Sequence, residues 1–500
     1  MRYRCKPILY AFILSFMCGF ATKAGAGSLS SGQATHQFVP TMPQSSALAP
    51  MSPVAFQQIS DPTTTPAPIT TGSELTLKQA ISIALKYHPR IREAAEDFNA
   101  AIARIGEARS FLGPQVLAVG QDLGSTDNGI ANTSYYNFDD AFPRMTGRNH
   151  DLPSNDFTQS WNTSNNYMGG LAMSQFLFDF GRHRGFVSER KFEAASVSAT
   201  EQLAKLDLMF EVSQRYFGVL EAKQLIRVYE KALEQRQFHL HEAKVKANAG
   251  LRPQLDVYVT QAEVERAQLH LVDARNAYED AKVALNNALG LSGRAPEYHL
   301  ADILTYHPVT ETLRPLIATG LRLRPDLKAL DDQAKALGAQ IVEYQSDYYP
   351  TVTAQGGYSA MGTGLPAANN FNVGIVITWP IFNSFLTTDQ ITETKARQHS
   401  VQDAIEDLEQ RIILQVQTSF LNWQASLERI ERAEKALAAS RVELELAEKR
   451  YQTGLTNIVE LEDAQRYYTY DDAAYANALY GFSVAKAAVD EATGRSLSGL

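Results

Sequence analysis

The chain has 500 residues, a net charge of −9 and a pI near 5.7, a balance that gives no reason to expect a nucleic-acid partner. Its two cysteines, Cys5 and Cys18, both fall in the first 26 residues, so removal of that stretch would leave none. The carboxylates and histidines are dispersed, and no catalytic, cofactor or metal constellation is expected; His239 and His241, two apart on a helix, read as solvated and do not share a face.

Arg2, Arg4 and Lys6 precede the apolar run Ile8–Phe20, and Ala24-Gly25-Ala26 supplies a small-residue cleavage site. Residues 1–26 are therefore expected to be a secretory signal peptide, the apolar run being too short to span a bilayer. Residues 27–73, rich in Ser, Thr, Pro and Gln, read as a flexible polar leader. Helical periodicity starts near Leu75, is interrupted at Pro89 and resumes to about Ser110.

After Pro114 the period changes to two. Strands are expected over about 114–123 and 167–178, with a polar loop from Gly124 to Asn166 between them. A long helical hairpin follows over about 183–290 and completes a first repeat of 74–290. Residues 291–312 read as a linker or equatorial segment. The second repeat, 313–495, begins with a helix and continues with strands at about 351–360 and 371–380. In the first of these Val352, Ala354, Gly356 and Tyr358 share a face; in the second Phe371, Val373, Ile375, Ile377 and Trp379 do.

The second hairpin, about 386–492, contains Thr387–Thr453, a stretch of 67 residues with no Gly or Pro. As one helix it would be about 100 Å long. Val401, Ile405, Leu408, Ile412, Val416, Phe420, Leu427, Ile430 and Leu437 recur at helical spacing, so it must lie against helices of similar length.

The two hairpins are copies. A shift of 204 residues lays Ala249-Gly250-Leu251 over Thr453-Gly454-Leu455, Gln261 over Gln465 and Gly290 over Gly494; upstream the shift is 236, with His88-Pro89 over Arg324-Pro325. Each strand is about the length a tilted membrane strand needs. Four strands cannot close a barrel and open edges are intolerable in lipid, so several copies must share one. The fold class expected is mainly α with a β-barrel portion: tandem-duplicated long helical hairpins, plus four strands per chain contributed to a shared transmembrane β-barrel.

Several motifs then coincide. Gln175-Phe176-Leu177-Phe178-Asp179-Phe180-Gly181-Arg182 and Trp379-Pro380-Ile381-Phe382-Asn383 stand where strand turns into long helix; Arg324-Pro325-Asp326-Leu327 opens a helix; Tyr451-Gln452-Thr453-Gly454-Leu455-Thr456-Asn457-Ile458-Val459-Glu460-Leu461 makes the helical turn. Together with the duplication, these resemble the TolC-type outer-membrane channel proteins (the outer membrane factor family) over roughly residues 75–495.

The resemblance implies a homotrimer in outer-membrane lipid whose helical hairpins form a periplasmic α-barrel, a long periplasmic extension, the whole an export duct for efflux or type I secretion. It also implies a periplasmic adaptor and an inner-membrane transporter as partners, and no enzymatic activity. It assigns Glu460 and Asp463 to a pore constriction at the periplasmic mouth, and Asp256 and Thr456 to a tip contact network. Gly250, Leu251, Gly454 and Leu455 fall at the adaptor-docking tips. The chain departs from the family pattern at Phe176, where proline is usual, at Ser384-Phe385, where glycines are usual, and at Thr456, where relatives carry an arginine. A non-transporting periplasmic coiled-coil or adhesion protein is the alternative reading.

Overall fold

The computed structural model describes residues 72, 74–126, 163–291, 293, 295–301, 311–362 and 368–496, all within one unit, Pro66–Leu500. The signal peptide, the polar leader up to Thr71, the loop 127–162 and residues 302–310 lie outside the described residues. In chain order the elements are β1 (Glu74–Leu75), α1 (Leu77–Tyr87), α2 (Pro89–Ser110), β2 (Gln115–Thr126), β3 (Thr163–Phe178), α3 (Arg182–Asn248) and α4 (Gln254–Ala288). The second half runs β4 (His299–Leu300), α5 (Leu313–Leu323), α6 (Pro325–Ser346), β5 (Thr351–Gly362), β6 (Ala368–Thr378), α7 (Leu386–Thr453) and α8 (Ile458–Ala492).

Local chemistry sets these boundaries. Thr76 and Gln79 form a reciprocal capping box at the start of α1. Pro89 and Pro325 occupy the first position of α2 and α6, where a missing N–H costs nothing. The long helices α3 and α7 have 67 and 68 residues. Leu408, Ile412, Val416, Phe420 and Ile430 of α7 are buried, and pack with Leu316 of α5 and with Phe482 and Val489 of α8. The equivalent stripe of α3, including Leu208, Val212 and Leu220, packs with Leu285 of α4 and with α1.

The copies approach themselves alike. Gly290 and Gly494 both have positive φ, 72° and 70°. A Cβ on Gly290 would lie 2.8 Å from the His88 Cα, and one on Gly494 would lie 3.1 Å from the Leu323 carbonyl carbon. The first helix pair of each repeat thus seats its Pro-capped junction on the glycine that ends the long hairpin. A pairing outside the repeat ties the connecting segment to the first copy: β1 pairs in parallel with β4, and the buried Tyr216 hydroxyl donates to the Leu75 and Ala301 carbonyls at 2.9 and 3.0 Å. The stretch expected as a linker therefore carries a strand.

The four longer strands form one antiparallel sheet in the order β2-β3-β5-β6, with β2 and β6 at its edges. Register aligns Val116, Met173, Gly356 and Val373 in one row, and Ala118, Leu171, Tyr358 and Phe371 in another on the same face. Val116, Leu171, Met173, Tyr358, Phe371 and Val373 are all exposed. One row over, on the opposite face, Gln115, Ser174, Gln355 and Gly374 align. Gly170 fits because the sheet leaves no space there: a Cβ would lie 2.5 Å from the Tyr358 carbonyl oxygen.

The ladder reaches further than hydrophobic alternation predicts. Gly124, Ser125 and Thr126 pair with Asn165, Ser164 and Thr163, extending the first hairpin into the expected loop, because backbone pairing does not require apolar side chains. Strand β6 stops at Thr378 rather than 380, before Pro380, which has no N–H to donate.

At both strand-to-helix corners two consecutive residues are left-handed: Phe180 and Gly181 in the first copy, Ser384 and Phe385 in the second. Each corner therefore holds one phenylalanine where glycine is the unstrained choice, at opposite positions of the pair. Phe180 stacks on Tyr349 with centroids 5.0 Å apart, and Phe385 meets Phe382 edge-on at 5.8 Å.

The glycine seats generate a stability prediction. Gly290→Ala combines a left-handed β-carbon with a backbone clash and should cost about 2–3 kcal/mol. Gly494→Ala, with its looser contact, should cost less. Denaturant unfolding followed by circular dichroism measures both; equal stability of Gly290→Ala and the parent would show that the seat is not tight.

Candidate functional site

The two hairpin turns are built alike. Gly250 and Gly454 adopt φ of 73° and 77°, and the next residue closes a six-residue loop onto the helix: Leu251 N–H to the Lys246 carbonyl at 2.9 Å, Leu455 N–H to the Arg450 carbonyl at 2.8 Å. Leu251 and Leu455 project outward, each 75% exposed. These two leucines and two glycines occupy the extreme ends of the hairpins.

Beyond the second turn, Asn457 caps α8 by accepting the Glu460 N–H at 3.0 Å. Glu460 is half-exposed, takes a hydrogen bond from the Thr456 hydroxyl and pairs with Arg450 across the turn at 2.8 Å. Asp463, one turn along, pairs with Arg466 at 3.1 Å. Both acids thus lie on one flank of α8, each with a basic neighbour from its own chain.

Asp256 is buried at the start of α4, its Oδ2 has no hydrogen-bond partner, and its carbonyl accepts from the Thr260 hydroxyl at 2.8 Å. Thr456 takes part through its backbone: its carbonyl oxygen accepts Arg252 Nη2 at 3.0 Å. The same Nη2 donates to the Tyr451 carbonyl at 3.1 Å, and the guanidinium lies 4.7 Å from the Tyr451 ring centroid. Lys246 Nζ lies 4.8 Å from that centroid. Tyr451 is wholly buried, and burial together with Asp256 pushes its phenol up to about 12.

The residue that sequence reasoning missed is Arg252. A signal was present: Arg252 is the equivalent of Thr456 in the other copy, 204 residues earlier. The second turn carries Thr456 where the resemblance implies an arginine; the cation Arg252 stands on the first turn and reaches the second from there. A correction applies to His239, which is buried at 3% exposure because its face of α3 meets α7, where Glu448 lies 3.7 Å away. Among the described residues no group of three or more His, Cys, Asp or Glu could hold a metal ion, and no helix is long and apolar enough to cross a membrane.

The family model described as "Outer membrane efflux protein" matches residues 80–291 and 316–495, spanning both copies. The chain belongs to the outer membrane efflux protein family. It is 24% identical over 438 residues to Outer membrane protein TolC of Escherichia coli, covering 84% of this chain and 82% of that protein. It is 23% identical over 483 residues to Protein CyaE of Bordetella pertussis, covering 91% of this chain and 89% of that one. In fold it resembles the crystal structure of CusC, with a TM-score of 0.70 at 18% identity over 86% of this chain and 97% of the other. It likewise resembles the open-state Neisseria gonorrhoeae MtrE channel, with a TM-score of 0.67 at 20% identity over 86% and 93%.

As a family member the protein is an outer-membrane channel for efflux or secretion with a long periplasmic barrel, which replaces the adhesion reading. Efflux proteins of this family work with an adaptor and an inner-membrane transporter.

The Arg252 contacts join the two turns within the chain. Arg252→Ala should remove about 2 kcal/mol from that junction, the sum of charge-assisted hydrogen bonds to two carbonyls and a cation–π contact. The expected readout is faster amide exchange across 450–457 with unchanged helix content. Unaltered exchange in the variant would leave Arg252 a surface residue.

Proposed function

We propose that three copies of this chain form one continuous export duct, each giving its four strands to a shared 12-stranded barrel and its two hairpins to the tunnel beneath. The observation that carries this is the sheet with open edges at β2 and β6 and an exposed apolar face. Lipid has no hydrogen bond to offer an open edge, so the edges must pair with those of other copies. On this reading residues 1–26 are a signal peptide removed on export. The repeats 74–290 and 313–495 build one protomer, joined through 291–312, and the duct works by conduction without a catalytic step. Heat-modifiable migration of an oligomer tests it. Deleting Thr351–Trp379 should abolish membrane insertion and that oligomer together; a stable inserted oligomer from the deletion would overturn the shared barrel.

On this reading the turn ends are the distal mouth of the duct. Gly250, Leu251, Gly454 and Leu455 present the apolar tips on which a periplasmic adaptor docks, with an inner-membrane transporter beyond it. Arg252, Tyr451, Asp256 and Thr456 hold neighbouring hairpins together. Glu460 and Asp463, repeated threefold, put six carboxylates around the narrowest passage. Glu460→Ala with Asp463→Ala should lower cation selectivity and weaken block by multivalent cations in planar bilayers, while fold and oligomer persist. Unchanged selectivity in an inserted double variant would reduce the pair to helix N-terminal acids favoured by the dipole.

A further inference from the structure

Between the two hairpins, just inside the tips, the chain buries a carboxylate that nothing satisfies. Glu462 of α8 is 3% exposed and neither carboxylate oxygen has a hydrogen-bond partner. On the same face of α8, Ile458 one turn before it and Gln465 one turn after it are also buried. From α3 the group facing it is Arg236, from α4 Glu263, from α7 Tyr451, and from α8 itself Asp463 and Arg466.

Arg236 is bound to Glu263 through one terminal nitrogen, while its buried Nε has no hydrogen-bond partner, and Glu263 is shared with Arg266. Arg236 is 5% exposed, its Nη1 lies 3.3 Å from Glu263 Oε2, and it donates to the Glu263 carbonyl at 3.1 Å. An ionised Glu462 would put a second carboxylate beside Arg236, which already faces Glu263 and gives neither Glu462 oxygen a hydrogen bond, and a dry site tolerates that poorly. Gln465, fully buried one turn on, ties α8 to α3 by donating to Gln235 at 2.6 Å, so the contact is a real interhelical seam.

We propose that Glu462 is a proton-operated clamp between the hairpins: protonated, it lets α8 lie dry against α3 and α4; ionised, it forces α8 off them and loosens the tip. Its burial comes from this chain alone, so the clamp does not depend on how many copies assemble. Only its consequence, a wider duct mouth, rests on the duct reading above.

The direction follows from the burial. Within the seam, burial pushes the Glu462 carboxyl from its ordinary 4.5 up to about 7, Arg236 opposing and Glu263 assisting. Below the ordinary value both the seated and the released helix hold the proton, and seating is at full strength. As pH rises towards 7 the released helix ionises first, so each pH unit favours release about tenfold. Above 7 both forms are ionised and the effect levels off, for a total on the order of a hundredfold. His239, 3% exposed between Glu242 and Glu448, acts with the opposite sign: burial pulls its ring down, so its titration would loosen the seam in acid rather than in base.

The experiment is amide hydrogen exchange on the full chain in detergent from pH 4.5 to 8, corrected for the intrinsic rate, read over segments 246–256 and 451–465. The parent should lose protection there on the order of a hundredfold across that range. Glu462→Gln should hold acid-like protection throughout, and Glu462→Leu, filling the same space without a polar group, should do the same if the amide is poorly accommodated. Glu265→Ala with Glu443→Ala, two exposed acids away from the seam, should keep the parental slope. A flat parent, a Glu462→Gln variant that keeps the slope, or a slope lost with the two exposed acids would each overturn the clamp. Absence of conductance in bilayers with the slope intact would instead count against the duct reading alone.

Discussion

A helix of 68 residues satisfies its own backbone but cannot hide its own apolar stripe. Everything else in the chain answers to that constraint. The helix must return on itself, so a glycine turn and a second helix follow it, and the returning helix is shorter, leaving the upper part uncovered. There α6 packs along α3 and α7, with Gly185 of α3 seated against the Glu343 backbone so closely that a Cβ would lie 2.8 Å away. Duplication then supplies the remaining cover, the two hairpins shielding one another.

The duplicated parts have drifted in an informative way. Where geometry is tight on both sides, as at Gly290 and Gly494, both copies keep the same residue. Where a requirement can be met from either side, the copies have divided it. The left-handed corners hold Phe180-Gly181 in one copy and Ser384-Phe385 in the other. At the tips, Arg252 stands opposite Thr456 and donates to its carbonyl. The shared requirement is a side chain in the gap, whichever turn supplies it.

Long-range order was legible where a single physical rule governs many residues. The run without Gly or Pro revealed α7, and Ile412, Val416 and Ile430 in its periodic stripe are indeed buried. The alternation from Val352 to Tyr358 revealed a strand of the sheet. The rest was illegible for definite reasons. Residues 124–126 pair through backbone groups that side-chain pattern does not report, and β1 with β4 is a two-residue pairing fixed by one distant hydroxyl. At the tips, Glu460 and Asp463 were readable as a pair three apart, but the Arg450–Glu460 contact exists only because Gly454 folds α7 back beside α8. Glu462 was unreadable, since a glutamate in a charged stretch looks solvated until the neighbouring hairpin covers it.

The division of labour between the turns bears on how such chains recombine. In a relative whose tip arginine stood at the position of Thr456, the cation would lie on the second hairpin, whereas here it sits on Arg252 of the first. A chimaera that swaps one hairpin with such a relative would inherit either two arginines facing each other or none. Each parent is internally complete, yet a half-and-half hybrid is not, although every residue in it comes from a working protein. The two hairpins of one chain have become a matched set, and a crossover between them is penalised at a single atom's reach from the turn.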